Sequence, residues 1–168
     1  FMSAKFVHLH VHSHYSLLAA LPKLPELVAK AKAQGHTTLA LTDLNNLYGA
    51  IEFIKECGNA GIKPIVGVDV LLENAARVVL LAQNEVGYKN LLALVTDANF
   101  TAGDGKPTVT YATLRAHHAG LLALVPSRTQ DSGELKRIFG EHDVYDNVAM
   151  REIYYLEPGD RRAWETLR

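Results

Sequence analysis

Phe6-Val7-His8-Leu9-His10-Val11-His12-Ser13-His14 opens the patterned part of the chain. Apolar residues alternate with histidines through it. In a strand, side chains two apart share a face, so His8, His10, His12 and His14 are expected to point one way. Neutral imidazole is the commonest protein ligand for divalent transition metals and coordinates through either ring nitrogen. Four imidazoles in alternation, ahead of an α/β pattern, predict the floor of a metal site, present or lost. The plain alternative is the polar face of an ordinary strand.

Outward from this stretch, short apolar runs alternate with amphipathic ones. A first strand is expected over 6–11. Residues 25–34 predict a helix with proline at an early position and Gly35 as its stop. Residues 38–42 (Thr-Leu-Ala-Leu-Thr) predict a strand buried on both faces. A helix over 48–60 ends at Gly61, and a strand follows over 63–70, with Pro64 near its start. Further on, the pattern gives a strand over 77–82, a helix over 85–95 and a loop over 101–107. A short helix capped by Thr110 runs through His117, and a strand covers 120–125. A helix over 131–139, a strand over 147–155 and a last helix over 160–168 complete the pattern. The order implies an α/β fold of mainly parallel strands joined by helices, as an open sheet or a barrel. In such folds chemistry gathers at the carboxyl ends of strands. His10, His12 and His14, then Asp43, Asp69 and Ser127, fall at such ends.

The 168 residues suffice for one domain with a core, and 48% hydrophobic with 21% charged residues is ordinary globular composition. A net charge of -1 leaves no basic footprint for gripping nucleic acid. The single cysteine, Cys57, excludes an internal disulfide and fits a reducing cytoplasm. No apolar run approaches the roughly 18 residues of a membrane span, and the first residues lack the pattern of a signal peptide. The glycines of 103–106 lack the spacing of a phosphate loop.

The stretch 6–18 resembles the opening of the polymerase and histidinol phosphatase (PHP) domain, more narrowly as it stands at the start of bacterial DNA polymerase III alpha subunits. Two further blocks agree, Ala40-Leu41-Thr42-Asp43-Leu44-Asn45-Asn46-Leu47-Tyr48-Gly49 and Ala60-Gly61-Ile62-Lys63-Pro64-Ile65-Val66-Gly67-Val68-Asp69. Gly87-Tyr88-Lys89-Asn90-Leu91-Leu92 and Gly120-Leu121-Leu122-Ala123-Leu124 fit as well. The match is closest through Asp69, and the segments after 72 and 127 are short for the family. The resemblance implies one PHP domain over 1–168, a distorted, TIM-barrel-like (β/α) barrel at the N-terminus of a longer polymerase chain in the cytoplasm. It implies as partners the remainder of the polymerase alpha chain, a proofreading exonuclease subunit and, within the holoenzyme, DNA. In intact members a cluster of metal ions at the strand ends supports phosphoester hydrolysis. In others the site has lost metal and the domain serves as scaffold.

Carried onto this chain, the resemblance leaves a reduced ligand set. His10 and His12 match the first pair. Ala19 stands where the family often has an acid, and Leu44 where Thr-Asp-His would end in an imidazole. Asp69 replaces a frequent Glu. His118 matches a further histidine, Ser127 falls on a cysteine, and Glu152-Ile153-Tyr154 on an Asp-x-His. The expected metal residues are therefore His10, His12, Asp69, His118 and Glu152, with Asp43 and His14 nearby. That set can hold one zinc or manganese ion, or none, rather than a multi-metal cluster. The function expected is a structural and docking role within a DNA polymerase, since this segment alone is not expected to polymerise DNA. The rivals are a phosphoesterase active in its own right, either a 3′–5′ exonuclease or of the histidinol phosphatase type, and a deliberately altered scaffold with Ala19-Ala20 introduced.

Overall fold

A computed structural model of the protein describes residues 6–103, 105–126, 132–146 and 152–167. Helix α1 (Leu24–Ala33) carries proline in its first turn and buries Leu24, Leu27, Val28 and Ala31. Strand β1 (Thr38–Leu44) follows, then α2 (Ala50–Ala60), closed by left-handed Gly61 at φ 71°. Strands β2 (Lys63–Leu71) and β3 (Arg77–Ala82) lead to the long helix α3 (Glu85–Thr101), whose Asn84 cap accepts from the Gly87 N–H. Helix α4 (Tyr111–Ala116), capped by Thr110, precedes β4 (Leu121–Leu124), α5 (Gly133–Phe139) and the two-residue β5 (Val144–Tyr145). A last helix, α6, spans Arg161–Leu167. None of the described helices is long and apolar enough to cross a membrane.

The five strands form one sheet in chain order, β1-β2-β3-β4-β5. β1 and β2 pair in parallel, as do β4 and β5, and β3 lies between them antiparallel to both neighbours. Four strands thus run one way. The reversal of β3 follows from its connection. Residues 72–76 are too few for a crossover, which takes a dozen or more, so the chain can only turn back as a hairpin. Among the described residues the sheet is open, and closure into a barrel is not observed.

The expected strand over 6–11 reduces to a single bridge between Val11 and Ile153. The segment does lie along β1, but unevenly. Ala40 N–H donates to the His8 carbonyl, and Thr42 N–H to that of Val11. The span from His8 to Val11 is one residue longer than that from Ala40 to Thr42, so the two segments form no regular ladder. Of the strand expected over 147–155, residues 147–151 lie outside those described, and Ile153 contributes only the bridge to Val11.

The outer face of the sheet, with Val68, Val70, Val78 and Leu80, packs on α3, α4 and α5 through Leu91, Leu94, Leu114 and Leu135. A second cluster joins α1 and α2 to β1 through Leu24, Leu39, Leu41 and Phe53, with Cys57 inside it. Burial pushes the Cys57 thiol up to about 11, so it is a packing group with no thiolate at neutral pH.

Candidate metal centre

The inner face of the sheet carries the site. Asp69 sits near the carboxyl end of β2, opposite Leu44 on β1 and Val79 on β3. Its carboxylate is buried, and His10 Nε2 lies 2.6 Å from Oδ2. His12 Nε2 stands 3.8 Å from the same oxygen. Glu152 Oε1 closes the group, 3.2 Å from His10 and 3.7 Å from His12. The four ligating atoms lie within 4.8 Å of one another.

Local backbone explains how residues so far apart in sequence meet. Val11, between the two histidines, bonds on one side to Thr42, its N–H donating to Oγ1 at 2.9 Å and its carbonyl accepting from the Thr42 N–H. On the other side His12 N–H donates to the Ile153 carbonyl and Ile153 N–H to that of His10. Glu152 is therefore delivered by the same pairing that holds the histidines. Tyr154 stacks on His12 with centroids 4.7 Å apart, and on Trp164 of α6, whose Nε1–H donates to the Ala19 carbonyl.

Of the residues expected from sequence, His10, His12, Asp69 and Glu152 come together. His118 does not. It precedes β4, whereas the level of Asp69 is matched on β4 by Leu124, through Val79, so His118 stands at the opposite rim. There its Nδ1 meets the Arg115 carbonyl and its ring the edge of Phe139. The four alternating histidines do not share a face either. His8 meets the rings of Phe6 and His36, and His14 lies against Tyr15 in the following turn. Ser127 falls outside the described residues.

Asp43 is near the site but fully engaged. Its Oδ1 accepts from Ser13 N–H and Ser16 Oγ–H at 2.6 Å each, and its Oδ2 from Ser13 Oγ–H at 2.7 Å. It anchors the turn after His12 and so fixes the histidines indirectly. Ser13 and Ser16 have no expected role by motif; their function is to bind Asp43.

One residue of the site carried no signal as a ligand. Arg77, the first residue of β3, donates from Nε to Asp69 Oδ1 at 3.2 Å and from Nη2 to Asp69 Oδ2, and Nη2 lies 3.0 Å from Glu152 Oε1. Arg77 pairs with Leu71 across the hairpin and so shares a face with Asp69, two residues earlier. The only trace in the sequence is a lone charge abutting the apolar run Val78-Val79-Leu80-Leu81. Burial opposes the Arg77 charge, but the Asp69 carboxylate and contacts to Tyr154 and Glu152 raise its pKa above the ordinary arginine value.

Burial likewise works against the charged form of Glu152. The His12 imidazole, the charge of His10, Tyr154 and the charge of Arg77 outweigh it and hold the carboxyl down to about 2. The sign follows from linkage. A carboxyl whose pKa falls on folding adds stability above its unfolded value, here about 4.5, and loses it as pH drops toward 2. Replacing Glu152 with Gln should therefore lower stability at pH 7 and reduce the steepness of acid unfolding below pH 4.5, measured by circular dichroism.

Two imidazoles and two carboxylates, spaced as above, make a donor set suited to a metal ion. His12 supports that fit, since its buried Nε2 lacks a hydrogen-bond partner.

A family model for the PHP domain matches residues 8–158, and the chain belongs to the PHP family. It is homologous to the N-terminal region of DNA polymerase III subunit alpha. The relative from Vibrio cholerae is 38% identical over 171 residues, covering 98% of this chain and 14% of that protein. The relative from Aquifex aeolicus is 31% identical and also covers 98% of this chain, but 17% of its own length. The chain thus spans only a small part of these relatives. Among solved structures, a candidate metal-dependent phosphoesterase from Bifidobacterium adolescentis aligns with a TM-score of 0.60 at 11% identity, over 98% of this chain and 83% of its own. An amidohydrolase from Chromobacterium violaceum aligns at 0.56 and 13% identity, over 96% of each chain. At these identities the likeness is one of fold.

Proposed function

We propose that residues 1–168 are the PHP region of a bacterial replicative DNA polymerase alpha polypeptide and act there as a structural element. On this reading the domain buttresses the polymerase body in the cytoplasm and offers a surface to a proofreading exonuclease subunit. Other parts of the polypeptide grip DNA, in keeping with the charge of -1. The observation that carries the scaffold reading is the cavity of about 400 Å³ around Asp69, lined by Leu18, Ala19, Leu44, Leu71, Arg77 and Tyr154 among others. Leu44 stands directly beside Asp69 in register. A leucine, an alanine methyl and a phenol occupy the positions where the family places further ligands, and neither hydrocarbon can coordinate an ion.

A second reading, a metal-dependent phosphoesterase, is favoured by the surviving group of His10, His12, Asp69 and Glu152. A divalent ion held by these four would supply Lewis-acid charge to a phosphoryl oxygen. Asp43 is not free to assist, being committed to Ser13 and Ser16.

The two readings separate in the intact protein purified without chelator, compared with its His12→Ala variant. The scaffold reading expects no more than one ion per chain to depend on His12, and no His12-dependent release of nucleotides from DNA 3′ ends or of phosphate from small monoesters. Two or three His12-dependent ions, with hydrolysis that disappears in the variant, would overturn it.

A further inference from the structure

The group of Asp69, Glu152, His10 and His12 contains two carboxylates, Asp69 buried and Glu152 open to solvent, and the chain brings its own cation to them. Arg77 bonds to Asp69 Oδ2 and lies 3.0 Å from Glu152 Oε1. Those two oxygens are half of the four-atom group that fits a divalent ion. His10 Nε2 already reaches both, at 2.6 and 3.2 Å. A guanidinium and a divalent ion would draw on the same lone pairs, and like charges at such separations repel strongly even when partly screened.

The fold determines this placement. β3 enters the sheet backwards, so its first residue, Arg77, lies beside Leu71 at the carboxyl rim of β2. A strand running with β2 would present its last residue there. Because Val79 pairs with Asp69, Arg77 projects from the same face and reaches the carboxylate diagonally. Tyr154 contacts both Arg77 and Glu152. Arginine suits the task, since its planar fork meets a carboxylate through two donors and keeps its charge at all relevant pH.

We propose that Arg77 is a tethered cation that takes the place of a divalent ion in this site and excludes one, holding His10, Asp69 and Glu152 in a metal-independent arrangement. The proposal deepens the scaffold reading and rests on it. The domain keeps the architecture of a metal centre and fixes it with a side chain.

The test is Zn²⁺ titration of the intact protein by calorimetry, as wild type, Arg77→Met and Arg77→Met/His12→Ala. The double variant subtracts ions bound elsewhere. Removal of the guanidinium should create one His12-dependent site at least about tenfold tighter than in wild type. A gain below tenfold overturns the proposal. Where Arg77→Met does not fold alone, its refolding with Zn²⁺ is the second readout. Recovery that depends on His12 supports exclusion by Arg77, and no recovery overturns it. Hydrolysis by zinc- or manganese-loaded wild type would defeat the scaffold reading instead. Unchanged affinity in Arg77→Met with an inactive wild type would defeat the exclusion alone.

Discussion

Substituting Asp43 with alanine is expected to lower stability by about 4 kcal/mol, read from urea unfolding. Asp43 is 2% exposed and accepts three hydrogen bonds, one from a backbone N–H and two from serine hydroxyls. Hydrogen bonds to an ionised acceptor contribute more than neutral ones, and the truncation leaves the buried Ser13 N–H without a partner. Asp43→Asn is the informative companion. Its carbonyl can replace Oδ1, which serves Ser13 N–H and Ser16 Oγ–H. Its amide would then meet Ser13 Oγ, a hydroxyl able to turn and accept. The asparagine variant should therefore lose roughly half as much or less. Equal losses in the two variants would show that the negative charge itself, rather than the pattern of acceptors, holds the turn. Because that turn follows His12 directly, the alanine variant should also broaden the imidazole resonances of His10 and His12 in NMR spectra.

Gly87→Ala should be nearly as damaging, at about 3 kcal/mol and a fall in Tm of roughly 10 °C. Two effects oppose each other here. Alanine is favoured over glycine within a helix by about 1 kcal/mol. Yet a Cβ on Gly87 would sit 1.9 Å from the Gly120 carbonyl oxygen, which is backbone and cannot swing aside. Gly120 is itself left-handed, at φ 72°, and a Cβ there would meet Asn84 Oδ1 at 2.5 Å. Helix α3 and the turn before β4 thus interlock through two glycines, and separating them would tear α3 from the sheet. A variant as stable as wild type, or more stable, would mean that the helix shifts freely and that this contact is not tight.

Those two glycines show how far the sequence could be read. They occur in blocks by which the chain resembles its family, yet nothing in the spacing says that they touch. The apolar runs at 38–42 and 77–82 read as strands because burial on both faces removes polar residues. Direction is another matter. The same run serves a strand pointing either way, and only the five-residue link at 72–76 held the clue to β3. The segment 6–11 misled for the opposite reason. Its alternation suits a strand, but its path is set by the bonds that Ile153 and Thr42 offer from outside it. Four of the expected site residues converge because the bridge between Val11 and Ile153 carries His10, His12 and Glu152 to the rim of the sheet where Asp69 sits. His118 fails because a residue ahead of a strand is at the other rim. Arg77 went unseen, since its importance comes from a reversed strand and not from any pattern of its own.

The bridge between Val11 and Ile153 has a consequence for biosynthesis. Chains emerge amino end first, so the stretch bearing His10 and His12 is made early. One of its two flanks waits for residues near 153 before it can be secured, across nearly the full length of the chain. The sheet can add β1 through β5 in the order they appear, each to its predecessor. The segment made earlier is thus fastened on that flank only after Ile153 is made, and a polypeptide ending short of Glu152 would leave its histidine edge unclasped.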